Sequence, residues 1–214
     1  MDNAVIDACR TVHAMGDSPE ERARSDANEE IILATYRALR EYGYADLTVK
    51  RIAEEYGKST AAVHYYYETK DDLLVAFLDY LLDRFVATIH EVETIDPEQR
   101  LKLLLDKLLT DPADHRDVLI ALIEMQSQAP YKATFREQFQ QNDEYIQYLL
   151  RTVISHGIEE GVFNAVDPDR VAKSLMTIVH GARTRAVVLD DASALTTARK
   201  TADDYVSSVL LAER

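Results

Sequence analysis

The sequence predicts an all-α chain: an N-terminal three-helix helix-turn-helix head followed by a C-terminal helical bundle. Three observations carry this. Apolar residues recur at helical spacing in segment after segment, Pro and Gly fall between those segments, and no alternating run of strand length competes with them. The segments share no common period, so the chain is not a repeat array.

Residues 1–25 are expected to form an N-terminal extension. Val5, Ile6, Cys9 and Val12 give it a weakly amphipathic piece, and Ser18-Pro19-Glu20-Glu21 is a helix-start signal after Gly16. It is acidic until Arg22, so Arg22 and Arg24 are its candidates for a phosphate; an arm that is partly disordered or packs locally is the expectation. Residues 26–70 form the head. Asp26 followed by Glu29 reads as a capping-box-like start, Ile31, Ile32, Thr35, Leu39 and Tyr42 continue at helical spacing, and Gly43 ends the helix. Leu47 packs the turn into a second helix, capped by Thr48, with Ile52, Ala53 and Tyr56 on its apolar face and Gly57 as its positive-φ stop. Ser59 then caps a third helix through Ala61, Ala62, Val63 and Tyr66. Two short helices across a tight Gly turn, the second small and polar in its first turn, make a helix-turn-helix whose second helix is the reading element.

So small a head needs another core partner, and the amphipathic run 71–91 supplies one through Leu74, Phe77, Leu78, Leu81 and Phe85. Residues 71–214 form the second domain. Asp96-Pro97-Glu98 opens a helix through Leu101, Leu104, Leu105 and Leu108, and Asp111-Pro112 breaks it. Another helix carries Val118, Leu119, Leu122, Ile123 and Met125 up to Pro130, and a long one over 131–160 carries Phe135, Phe139, Tyr145, Tyr148, Leu149 and Ile154 and closes at Gly161. Asp167-Pro168-Asp169 opens the next, with Val171, Leu175, Ile178, Val179, Ala182 and Ala186 apolar and Gly181 allowing close backbone approach. The last, about 193–211, offers Leu195, Ala198, Ala202, Tyr205, Val209 and Leu210.

Residues 29–78 resemble the DNA-binding half of the TetR (tetracycline-repressor-type) family of one-component transcriptional regulators. The likeness runs through EYGY, LTVKRIAEEYG and STAAVHYYYETKDDLL in the family's order and spacing. Its most specific part is Tyr65-Tyr66-Tyr67 followed by Thr69-Lys70-Asp71 and the apolar Leu73-Leu74. Where the family usually has Gly then Thr, this chain has Ala61 and Ala62; His64 replaces a common Tyr, Tyr66 a common His and Tyr67 a common Phe. These changes bear on which DNA sequence is preferred.

The resemblance implies a repressor that binds a double-stranded, pseudopalindromic DNA operator as a homodimer and is released by a small effector. It implies phosphate or base contacts from Thr48, Lys50, Ser59, Thr60, His64, Tyr65, Tyr66 and Lys70, with Ala61 and Ala62 meeting thymine methyls. Tyr67 is expected in the core. The helix over 71–91 becomes the hinge between effector and DNA, because packed helices move between discrete arrangements. The last two helices pair with their symmetry mates through Val171, Leu175, Ile178, Val179, Gly181, Ala182, Ala186, Leu195, Ala198, Ala202, Tyr205 and Val209; the alternative is that these faces bury only within their own subunit. An effector pocket is expected among Tyr80, Leu122, Met125, Gln126, Tyr145, Tyr148 and His180, a mixture suited to an apolar or amphipathic small molecule.

Composition bounds these readings. One cysteine permits no intrachain disulfide or thiolate metal site, which fits a reducing cytoplasm, and no apolar run reaches the length that crosses a bilayer. The net charge of −14 sits poorly with phosphate binding until its distribution is considered. Between residues 22 and 70, eight bases cancel eight acids; the first 21 residues carry −4 and the remainder −10. Arg outnumbers Lys 16 to 8, and with so many carboxylates this suits a halophile, an ordinary acidic protein being the alternative. In high salt the gain from counterion release shrinks, so more of the affinity has to come from base and shape contacts. No His has a carboxylate three residues before it, and no HExxH, Gly-rich phosphate loop or GxSxG is present, so neither catalytic residues, a metal nor a cofactor is expected. A helical adaptor that binds only protein, or a ligand-binding bundle without DNA binding, is the competing non-enzymatic class.

Overall fold

A computed structural model describes residues 19–90, 96–109 and 116–211, which are helices joined by turns, bends and short irregular links, with no strand among them. The expected arm up to residue 18, with Cys9, and the break at Asp111-Pro112 lie outside them. The helices are α1 (Pro19–Asp46), α2 (Val49–Tyr56), α3 (Thr60–His64), α4 (Lys70–His90), α5 (Pro97–Leu109), α6 (Arg116–Gln128), α7 (Ala133–Glu159), α8 (Pro168–Val188) and α9 (Ala194–Val209). The all-α class is as predicted.

α1 does not start at Asp26. It begins at Pro19, the proline of the upstream start signal, and runs continuously through the capping-box-like pair. It turns non-helical at Gly43 (φ 69°, ψ 172°) before a last short turn to Asp46. Two compact units form, one up to Asp83 and one from Arg84, so the division falls inside α4 rather than ahead of it. The first unit's core explains this. Leu73, Leu74, Phe77 and Leu78 of α4 are fully or almost fully buried there, together with Ile31, Ala34, Leu39, Leu47, Ile52 and Val63. Thr35, also buried, returns its hydroxyl to the Ile31 carbonyl at 2.9 Å, which satisfies the polar atom within its own helix.

The second unit is built on a leucine-rich core. Leu101, Leu104, Leu105 and Leu108 of α5 meet Leu150, Val153 and Ile154 of α7 and Val171, Leu175 and Val179 of α8, and α9 adds Leu195, Ala198, Ala202 and Val206. Each fully buried Leu contributes about 1.5–3 kcal/mol. Just past the end of α7, at Gly161 (φ 71°), the chain folds straight back, the Val162 and Phe163 N–H groups both donating to the Gly157 carbonyl at 2.9 Å. Gly157 is required for a different reason: a Cβ there would lie 2.1 Å from the buried Phe163 ring. At Gly181, by contrast, nothing among the described residues lies within 4 Å of an added Cβ, so it mediates no close approach among them. α8 opens as its Asp-Pro pair predicts, the Asp167 carboxylate accepting from the N–H groups of Asp169 (3.0 Å) and Arg170 (3.3 Å).

Candidate nucleic-acid interface

The helix-turn-helix is assembled by three caps. Thr48 Oγ1 accepts from the Arg51 N–H at 3.2 Å and starts α2. Gly57, at φ 71°, ends it, with the Gly57 and Lys58 N–H groups donating to the Glu54 and Ala53 carbonyls at 3.1 Å. Ser59 Oγ accepts from the Ala62 N–H at 3.3 Å and starts α3. Ile52 and Ala53 turn α2 inward, and Val63 alone anchors α3. Everything else on α3 is left to solvent or its edge: Ser59, Thr60, Ala61 and His64 are exposed, Ala62 is half-buried, and Tyr65 is 73% exposed. A helix anchored by one valine and otherwise open has the form of an element presented to a partner.

α3 is shorter than expected. It ends at His64, and Tyr66 and Tyr67 fold under it in a turn, their N–H groups sharing the Val63 carbonyl at 3.0 Å. Tyr67 is half-buried with its hydroxyl donating to the Asn28 side chain. Burial pushes that phenol's pKa up, and the Asn28 bond offsets it in part. Tyr65 stacks edge-on against Tyr66 at 5.1 Å between centroids, holding the exposed ring beside the reading face. Thr69 and Asp72 cap α4 reciprocally: the Asp72 N–H donates to Thr69 Oγ1 (3.1 Å) and the Thr69 N–H to Asp72 Oδ2 (3.0 Å).

Four cations of this unit have partners within the protein. Lys50 pairs with Glu54 at 3.8 Å and Arg37 with Glu55 at 3.4 Å. Lys58 donates to the Tyr56 hydroxyl at 3.0 Å and faces Glu30 at 3.8 Å. Lys70, predicted as a phosphate contact, is half-buried, and its ammonium donates to the Leu47 carbonyl at 3.1 Å.

The chain matches two family models: "Bacterial regulatory proteins, tetR family" over residues 31–77, and "BetI-type transcriptional repressor, C-terminal" over residues 97–211. A TetR transcription regulator from Haloarcula marismortui, known from its crystal structure, is 66% identical, with a TM-score of 0.82 covering 87% of this chain and 99% of that one. The chain belongs to the TetR family. It is a DNA-binding transcriptional regulator, and the α2–α3 pair falls within the first matched segment. The repressor AcnR of Corynebacterium glutamicum is 25% identical over 166 residues, 78% of this chain and 81% of that protein. A transcriptional regulator from Saccharomonospora viridis, crystallised with choline, is 23% identical at a TM-score of 0.75, covering 88% of this chain and all of that one, and shares the fold.

The second unit bears on the dimer and effector expectations. Val171, Leu175, Val179, Ala182, Ala186, Leu195, Ala198 and Ala202, predicted to meet a second copy, are buried in their own subunit's core and have almost no surface left to give a partner. Ile178, Tyr205 and Val209 stay partly accessible and Gly181 is exposed. The predicted effector residues are spread over α4, α6, α7 and α8. Met125 is fully buried core, Leu122 and Gln126 are partly buried on α6, and Tyr80 is half-buried in the first unit. Tyr145 and Tyr148 are 39% and 49% exposed, tilted against each other at 6.1 Å, because the register of α7 sends Leu150, Val153 and Ile154 inward instead. An open cleft of about 600 Å³ runs along α7 and α8, lined by Gln140, Asp143, Glu144, Gln147, Arg151, Asp169 and Lys173. It is polar, and none of the predicted seven lines it; His180 meets it through a 2.9 Å bond to Asp143. That bond holds the Asp143 carboxyl below its ordinary range, with a contribution from Gln147.

Arg183 is a polar contact that no local sequence pattern announces. Its side chain is half-buried, and the guanidinium donates to the Leu108 carbonyl at 3.0 Å, in the last turn of α5, where a positive charge suits the helix dipole. Burial lowers its pKa to about 10, which leaves it charged at neutral pH. Only spatial proximity joins it to a carbonyl so far away in sequence. Among the described residues no group of His, Cys, Asp and Glu is placed to hold a metal, and no helix is long and apolar enough to cross a membrane.

Proposed function

We propose that this regulator is a cytoplasmic, cofactor-independent repressor that acts as a homodimer, with two α3 helices entering successive major grooves of a pseudopalindromic operator and a small apolar or amphipathic effector releasing them. The observation that carries this is the presentation of α3, fixed by Ser59 and Val63 and open over Thr60, Ala61, His64 and Tyr65. In this reading Thr48 and Ser59, each capping through its oxygen lone pair, keep an O–H to donate to phosphate. Lys50 and Tyr66 flank them, and Ala61 and Ala62 lie against thymine methyls. Residues 26–70 bind DNA and 71–214 serve effector binding and dimerisation. A single five-residue helix contacts few base pairs, and two half-sites one turn apart multiply affinity and specificity. Dimer contact falls to the accessible residues of α8 and α9, including Ile178, Gly181, Tyr205 and Val209.

α4 contributes to both compact units, which makes it the natural carrier of an effector signal. The test is a gel shift with a duplex from immediately upstream of the protein's own gene, repeated up to molar potassium chloride and with added choline as the first effector probe. A discrete complex that survives high salt supports the reading. No complex at any salt would favour the protein-binding adaptor instead.

A further inference from the structure

Two cations lie at the corner that places α2 and α3. Around Gly43 the tyrosines of the EYGY run each lie under a positive charge: the Arg51 guanidinium stands 4.4 Å from the Tyr42 ring centroid and the Lys70 ammonium 4.9 Å from that of Tyr44. Each cation also donates to a backbone carbonyl of the connection into α2, Arg51 to Asp46 and Lys70 to Leu47 at 3.1 Å. Those carbonyls belong to the two residues just before Thr48, the α2 cap. At the corner Gly43 is non-helical, and the Leu47 N–H donates to the Tyr44 carbonyl at 3.3 Å.

We propose that Lys70 and Arg51 are positioning residues for operator binding: they lock the α1–α2 corner by a ring-face and carbonyl clamp, and Lys70 ties the first turn of α4 to the start of α2. The proposal rests on the DNA-binding reading above and deepens it. A ring face attracts a cation electrostatically, and the carbonyl supplies a directional acceptor, so the pair fixes both the distance and the angle of the ammonium. Because α4 begins at Lys70, a shift of its first turn pulls on the Leu47 carbonyl and hence on the cap that sets α2. A lysine acting in this way weakens binding when removed but leaves the count of neutralised phosphates unchanged.

The experiment compares the full-length wild type with K70M, K70R and Y44L, on the upstream duplex over a range of potassium chloride and in the free protein by hydrogen exchange. K70M is expected to bind about tenfold more weakly at every salt with the slope of log affinity against log salt unchanged, K70R to recover most of the loss, and Y44L to reproduce it. In the free protein, amides over residues 47–52 should exchange faster in K70M and Y44L than in wild type. A slope lowered by about 0.9 for each head in K70M would overturn the proposal and restore Lys70 as a phosphate contact. So would unchanged exchange at the corner, or wild-type affinity in Y44L. If the wild type itself forms no complex, the regulator reading fails, while the exchange comparison still decides whether the clamp holds the corner. Should K70M not fold, Y44L decides by the same two readouts.

Discussion

Replacing Phe77 by alanine is expected to destabilise the first unit by about 3–5 kcal/mol, the range for emptying a buried aromatic site. Phe77 is fully buried on α4, 6.5 Å from the Tyr36 ring of α1, and its neighbours Leu73, Leu74 and Leu78 are equally enclosed. A unit this small has a stability of the same order as the loss, so the variant should lose helix at room temperature and unfold at much lower urea. Phe77→Leu, which keeps most of the volume, should cost less than about 1.5 kcal/mol. Urea unfolding followed by circular dichroism and tyrosine emission reads both, since the chain has 12 tyrosines and no tryptophan. Equal midpoints for the two variants would mean that α4 is not a core element of the head.

The second large effect is on DNA and not on stability. Ala61→Glu should abolish operator binding, with a loss of at least about 100-fold, while leaving the unfolding midpoint within about 0.5 kcal/mol of wild type. Ala61 is exposed in the first turn of α3, where an acidic side chain is tolerated by the helix and even favoured at its N-terminal end. Only a partner carrying negative charge makes that position intolerant. Titration of the upstream duplex by fluorescence anisotropy gives the affinity, and a variant that binds like wild type would move the reading surface elsewhere.

What the sequence reveals follows from how far each signal reaches. The caps at Thr48, Gly57, Ser59 and Asp167 are legible because each acts within a few residues of itself, and the hydrogen bonds fall where the residue types require. The start of α1 is harder because two valid signals compete, and a continuous helix from Pro19 absorbs the second of them at Asp26. The faces of α8 and α9 show a different limit. Periodicity identifies Leu175, Val179 and Ala202 as apolar and inward, but the same stripe serves a subunit core and a dimer contact equally well. The polar pair His180–Asp143, the Arg183–Leu108 cap and the turn of Lys70 onto Leu47 join residues distant in sequence, and no local pattern announces them.

Binding-site selection from a random duplex pool tests the account most directly. The wild-type protein should enrich a motif of two inverted half-sites with centres about 10 base pairs apart, one for each exposed α3 of a dimer, and Ala61→Glu should enrich nothing. Enrichment of a single isolated half-site, or none by the wild type, would contradict it.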